Sequence, residues 1–141
     1  YYHRPRADHE LLEKYHEGLI VTSACVGGEV PQAILNGDMD EARKVIEFYI
    51  NTFGKDNYFL EIQNHGLPEE AAVRPVLASL AKEYGLGLVA TNDFHYTKKE
   101  DARSQEIKLW ISTGKRLYDA YHFHFANDEF TARAGMRCAP F

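Results

Sequence analysis

The sequence predicts an α/β fold in which short parallel strands alternate with helices. Two observations carry that expectation. Three short runs, nearly continuous in apolar residues, end in polar residues or glycine: GLIVTSACVGG (18–28), YFLEIQNHG (58–66) and GLGLVATNDFHY (85–96). Each is followed by a stretch with helical spacing, and strands covered on both faces by crossover helices read as such continuous runs. This alternation implies right-handed β–α units, within either an open doubly wound sheet or a barrel.

The elements follow in order. DHELLEKYHEG (8–18) reads as a helix preceding the first strand. After that strand come VPQAILNG and then DMDEARKVIEFYINTFG. In the latter, Ala42, Val45, Ile46, Tyr49, Ile50 and Phe53 recur at spacings of three and four, with Asp38 placed to cap the start and Gly54 the end. The second strand leads into LPEEAAVRPVLASLAKEYG, where Pro68 and two glutamates suit a first turn and Gly85 the stop. Pro75 lies inside this pattern and is expected to kink the helix or divide it. The third strand leads to KKEDARSQEIKLWISTG, stopped by Gly114.

In parallel α/β architectures functional groups gather at the carboxyl ends of the strands. The sequence puts polar residues there: Ser23 and Cys25, then Glu61, Asn64 and His65, then Asn92, Asp93 and His95. Side chains at i and i+2 of a strand share a face, so Asp93 and His95 can approach one ion while Phe94 packs on the other side. A carboxylate with an imidazole suits Zn, Mn or Fe. The same pair can instead close a loop, or Asp93 can cap a helix. Cys25 can be a ligand, a nucleophile or a small buried hydrophobe. Glu61 can ligate, act as a base, orient a ligand or pair with a cation, and His65 before Gly66 also fits ordinary turn chemistry. A His-x-His pair, His122 and His124 in YHFHF, can bind metal but lies beyond the last β–α unit, where an edge strand is the stronger reading.

Composition narrows the classes. A chain of 141 residues is one domain or a piece of one, and at 45% hydrophobic and 26% charged it has material for a core. The first ten residues, YYHRPRADHE, begin as though continuing something longer. No apolar run is long enough to span a membrane. A net charge of −5 without a lysine-rich face makes the segment alone a poor non-specific DNA binder. Two distant cysteines, Cys25 and Cys138, make no disulfide framework, so a reducing, cytoplasmic setting is expected. There is no P-loop, no G-x-G-x-x-G and no G-x-S-x-G, which leaves nucleotide-cradling and serine-hydrolase readings unsupported.

The stretches YHEGLIVTSACVGGEVPQAILNGDMDEARKVIEFY, FGKDNYFLEIQNHGLPEE, LVATNDFHYTKKEDA and TGKRLYD together resemble the bacterial DNA polymerase III alpha subunits. More narrowly, residues 1–130 resemble the second half of their N-terminal PHP (polymerase and histidinol phosphatase) domain. The resemblance implies a distorted (β/α)7 barrel carrying a cluster of Zn, Mn or Fe ions at its strand ends. It puts the family's ligand cysteine on Cys25 and its terminal Asp-x-His on Asp93 and His95. Glu61 and His65 match a stretch beside the site, as second-shell groups, and no catalytic residue is assigned beyond the metal ligands. His122 and His124 match a stretch that holds no ligand.

Also implied are a DNA-directed DNA polymerase as the parent, with Mg, dNTPs and DNA handled by domains outside this segment, and other replicase subunits as partners. The PHP site would be a metal-dependent 3′–5′ exonuclease used in proofreading. Its alternatives are a non-catalytic scaffold binding partner subunits, or a free-standing PHP phosphoesterase. The family's early His-x-His does not occur in this chain, so three of its ligands at most are expected here. After DEF the chain departs from the family pattern into TARAGMRCAPF, an atypical tail over 131–141 that reads as a truncation or frameshift.

Overall fold

The computed structural model describes residues 6–92, 98, 101–113 and 138–139. In chain order the elements are α1 (His9–Lys14), β1 (Val21–Thr22), α2 (Glu29–Leu35), α3 (Met39–Phe53), β2 (Tyr58–Ile62), α4 (Pro68–Tyr84), β3 (Gly87–Ala90), α5 (Ala102–Thr113) and β4 (Cys138–Ala139). The strands form one sheet in the order β1-β2-β3-β4. β1 pairs parallel with β2, and β2 parallel with β3, through Val21 opposite Tyr58 and Leu60 opposite Leu88. The expected parallel β–α units are therefore present. β4 adds an antiparallel edge, Val89 opposite Cys138, from within the tail that the sequence marked only as atypical.

The helix ends follow local chemistry. Asp8 caps α1 by accepting the Leu11 N–H at 2.9 Å, and Asp38 caps α3 by accepting that of Glu41 at 2.9 Å. α4 begins on Pro68 and ends at Gly85, whose left-handed backbone (φ +67) directs its N–H to the Ala81 carbonyl. The core forms where α2, α3 and α4 cover one face of the sheet, around Tyr58, Leu60, Ile46, Val30, Leu77 and Leu80, all essentially inaccessible. Burial alternates along β2: Tyr58 and Leu60 face the helices, while Phe59 and Glu61 are half-buried on the other face. The second face is covered in part, since Val89, opposite Glu61, is buried as Leu88 is on the first, and it also carries the polar Glu61.

β1 is shorter than its apolar run suggests. The Ser23 hydroxyl accepts the Glu61 N–H at 2.8 Å, replacing a ladder bond, and Ala24 then turns into the left-handed region (φ +61). α1 buries no residue of its own. It is held by His9, whose ring stacks on Phe48 at 4.0 Å and whose Nε2 lies 3.1 Å from Glu29.

Pro75 neither breaks nor divides α4, which runs unbroken from Pro68 to Tyr84 with Pro75 on its exposed side. Packing of Val73, Leu77 and Leu80 into the core outweighs the missing N–H and the clash with the preceding turn. Pro75→Ala is therefore expected to stabilise the fold by about 1–2 kcal/mol, after allowing for the more flexible unfolded chain. A urea midpoint that falls in this variant would contradict that account.

Candidate functional site

The carboxyl ends of β1, β2 and β3 bring together groups that the sequence scatters over 70 or so residues. Glu61 is the hub. One carboxylate oxygen accepts the Thr22 hydroxyl at 2.6 Å, from the end of β1. The other accepts the Gln63 amide at 3.0 Å and the hydroxyl of Thr91, which follows β3. Gln63 also reaches the Thr91 hydroxyl at 3.2 Å. A carboxylate so engaged ties three strand ends together and has little lone-pair capacity left for an ion.

Cys25 lies in the turn between β1 and α2, half-buried, as a free thiol. It shares a small cavity of about 10 Å³ with Glu61, Gln63, Glu70 and Arg74, room for a single water. The turn is tightly determined at one glycine. A Cβ added to Gly28 would lie 2.2 Å from the Ser23 carbonyl oxygen, whereas one on Gly27 would meet only the Cys25 sulfur at 3.7 Å.

His65 is buried after β2 and is held by Glu70 of α4, which is 2% exposed. Its Nδ1 lies 2.6 Å from one Glu70 oxygen, while the other oxygen accepts the His65 backbone N–H at 2.6 Å and the Leu67 N–H at 3.4 Å. Burial by itself would raise the Glu70 pKa, but the hydrogen bonds from His65 and its charge, with that from Leu67, hold the carboxyl below its ordinary range. Glu70 is thus ionised and Nδ1 carries a proton toward it. That contact orients the ring, the arrangement by which carboxylates fix histidines beside metals.

Asp93 and His95, and also His122 and His124, lie outside the described residues. Cys138 pairs through its backbone with Val89, and its side chain lies outside them as well. Among the described residues, no group of three or more His, Cys, Asp or Glu side chains converges as a metal-binding set. For a soft or borderline divalent ion, the Cys25 thiol is the described group whose chemistry and place fit; the Glu61 carboxylate fits a bracing role. Sequence reasoning missed Thr22, Gln63 and Thr91, whose only signal was a position beside a strand end. It also missed Glu70, whose signal was its place three residues after the helix cap.

Residues 1–65 match the PHP domain family, and the parallel β–α order agrees with part of such a fold. Over most of its length the chain is also similar to DNA polymerase III alpha subunits. It is 50% identical over 130 residues to DNA polymerase III subunit alpha of Deinococcus radiodurans, covering 92% of this chain and 10% of that protein. The corresponding protein of Thermus aquaticus is 47% identical over 130 residues, covering 92% of this chain and 11% of the relative. That of Treponema pallidum is 44% identical over 138 residues, covering 98% and 12%. The chain thus spans about a tenth of the length of these relatives. Among the described residues no helix is long and apolar enough to cross a membrane.

Proposed function

We propose that residues 1–130 form the C-terminal half of a PHP domain in a replicative DNA polymerase III alpha subunit, with 131–141 as a tail of separate character. The parent would be a cytoplasmic DNA-directed DNA polymerase acting on DNA and dNTPs with Mg, in company with other replicase subunits. The observation that carries this reading is the 50% identity over 130 residues, 92% of this chain. Within the domain, Cys25, Asp93 and His95 would hold a divalent ion, Zn, Mn or Fe, for 3′–5′ exonuclease proofreading.

The chain's own residues have distinct tasks in that scheme. The Ser23–Gly28 turn presents the Cys25 thiol at the strand ends. Glu61, with Thr22, Gln63 and Thr91, keeps those ends at fixed separation. Glu70 holds the His65 ring in one orientation. A bound ion supplies a water of lowered pKa and a counter-charge for the phosphodiester.

A second reading, a scaffold that contacts partner subunits, is favoured by one feature: Glu61 and Glu70 both spend their oxygens on internal hydrogen bonds. Asp93→Asn in the intact subunit separates the two. For a nuclease, 3′-end degradation falls by more than about 100-fold and metal content drops, a larger effect than the 10–100-fold typical of outer-shell partners. Unchanged metal content and nuclease rate would remove Asp93 from the ligand set and leave the scaffold.

A further inference from the structure

The guanidinium of Arg74 is an unbalanced charge at the strand ends. Arg74 stands in the second turn of α4, one turn after Glu70 and one turn before Leu77, both buried. Because β2 and β3 are parallel, α4 starts at their carboxyl ends and runs back along the sheet. Helical side chains lean toward the helix N-terminus, so that of Arg74 leans toward those strand ends. It lines the small cavity there together with Cys25, Glu61 and Gln63.

A guanidinium carries five donors and a permanent charge. Among the described residues Arg74 has no hydrogen-bond or ion-pair partner, although two carboxylates border the same cavity. Both are committed elsewhere. Glu70 accepts from His65 and Leu67, and Glu61 from Thr22, Gln63 and Thr91. Arg74 is also not among the groups that hold Glu70 ionised. A half-buried guanidinium has lost part of its hydration, and charge left uncompensated in that way is costly until an anion offsets it. The position therefore favours an anion, and a cation there would meet like charge.

We propose that Arg74 is a substrate-binding residue of the strand-end site, its guanidinium donating to two nonbridging oxygens of the phosphodiester at a primer 3′ end. The proposal rests on the exonuclease reading of that site. Parallel N–H groups match a pair of phosphate oxygens, a fit that a lysine ammonium lacks. The cavity of about 10 Å³ admits only a water, so the phosphate lies at its rim, where Cys25 and Arg74 are both part-exposed.

The test uses the intact subunit without dNTPs. Arg74→Gln should lower kcat/KM for 3′-end degradation by about 10–100-fold, the loss of hydrogen bonds to a charged group, with metal content unchanged. Inorganic phosphate should inhibit the wild type at about tenfold lower concentration than this variant. A second readout needs neither metal nor turnover. In chelator-stripped subunit, alkylation of Cys25 is followed by peptide mass spectrometry with anionic iodoacetate and with neutral iodoacetamide. The ratio of the two rates cancels any change in thiolate fraction, and it should fall roughly threefold in Arg74→Gln, the effect of one nearby charge in a partly hydrated setting. Should Arg74→Gln fail to fold, Arg74→Lys decides: it should keep the wild-type rate ratio and still lose part of kcat/KM. Wild-type kcat/KM and phosphate inhibition in Arg74→Gln, or an unchanged rate ratio, would overturn the proposal while leaving an Asp93-dependent nuclease standing. Loss of metal from Arg74→Gln would overturn it too, by making Arg74 a structural residue. If Asp93→Asn leaves degradation unchanged, the exonuclease reading fails instead, and the rate ratio decides whether Arg74 still forms an anion site.

Discussion

Glu70→Ala is expected to destabilise the fold by about 3–5 kcal/mol, since it takes the acceptor from several donors at a buried turn at roughly 1–3 kcal/mol each. The loss is large because one carboxylate serves three donors: the His65 ring, the His65 backbone N–H and the Leu67 N–H. With alanine, the backbone N–H of the turn and the buried imidazole keep their desolvation cost without its compensation. At a few degrees per kcal/mol, the melting temperature should fall by roughly 10–20 °C. The pH dependence carries a sign that identifies the cause. A carboxyl whose folded pKa lies below its unfolded one contributes stability that is fully present above the unfolded value, roughly pH 4.3, and is lost as pH falls through the lowered folded value. The wild type should therefore lose stability from about pH 4.3 downward, and the alanine variant should lack that part of the slope. A variant with wild-type stability at pH 7 would show that the His65–Glu70 contact contributes nothing net.

Gly28→Ala is the second large effect. Its new Cβ would lie 2.2 Å from the backbone oxygen of Ser23, and no side-chain rotation can relieve a clash with backbone. The turn must open, breaking the contact between Ser23 and Glu61 that ends β1. A cost of about 3 kcal/mol or more is expected, at or above the upper end for overpacking. The neighbouring glycine is the control. Gly27→Ala would make only a 3.7 Å contact with the Cys25 sulfur and should change stability by less than about 1 kcal/mol. Denaturation midpoints of the two variants side by side test the geometry of the turn directly. Equal effects would mean that the turn is not held as described. Under the proposed ligand role of Cys25, Gly28→Ala in the intact subunit should also lower metal content, whereas Gly27→Ala should not.

These expectations rest on different levels of information. The helix boundaries at Asp38, Pro68 and Gly85 were legible in the chain because capping is local: donor, acceptor and backbone conformation lie within four residues. The core stripe of α3 was legible for the same reason, since a period of 3.6 residues places Ala42, Val45 and Ile46 on one face whatever they meet. The gathering of polar residues at strand ends could be read too, because parallel β–α units bring successive strand ends to one side. Of the two outcomes expected at Pro75, division of the helix does not occur: its local penalty was legible, but the burial of Val73, Leu77 and Leu80 that keeps α4 continuous is a property of the assembled core.

The sequence by itself determined the alternation of elements, their caps and the set of residues offered at the strand ends, including Cys25, Glu61 and His65. What those residues do there was decided by tertiary structure alone. Glu61 braces the sheet because Thr22 and Thr91, 39 and 30 residues away, deliver their hydroxyls to it. His65 is oriented because a helix start turns Glu70 back onto it. The Tyr58 hydroxyl has no hydrogen-bond partner among the described residues, and the cavity lined by that residue is formed by β1, α2, α3 and β2. Hydrogen bonding and burial depend on which atoms meet in space, and no local period encodes a meeting between residues so far apart in the chain.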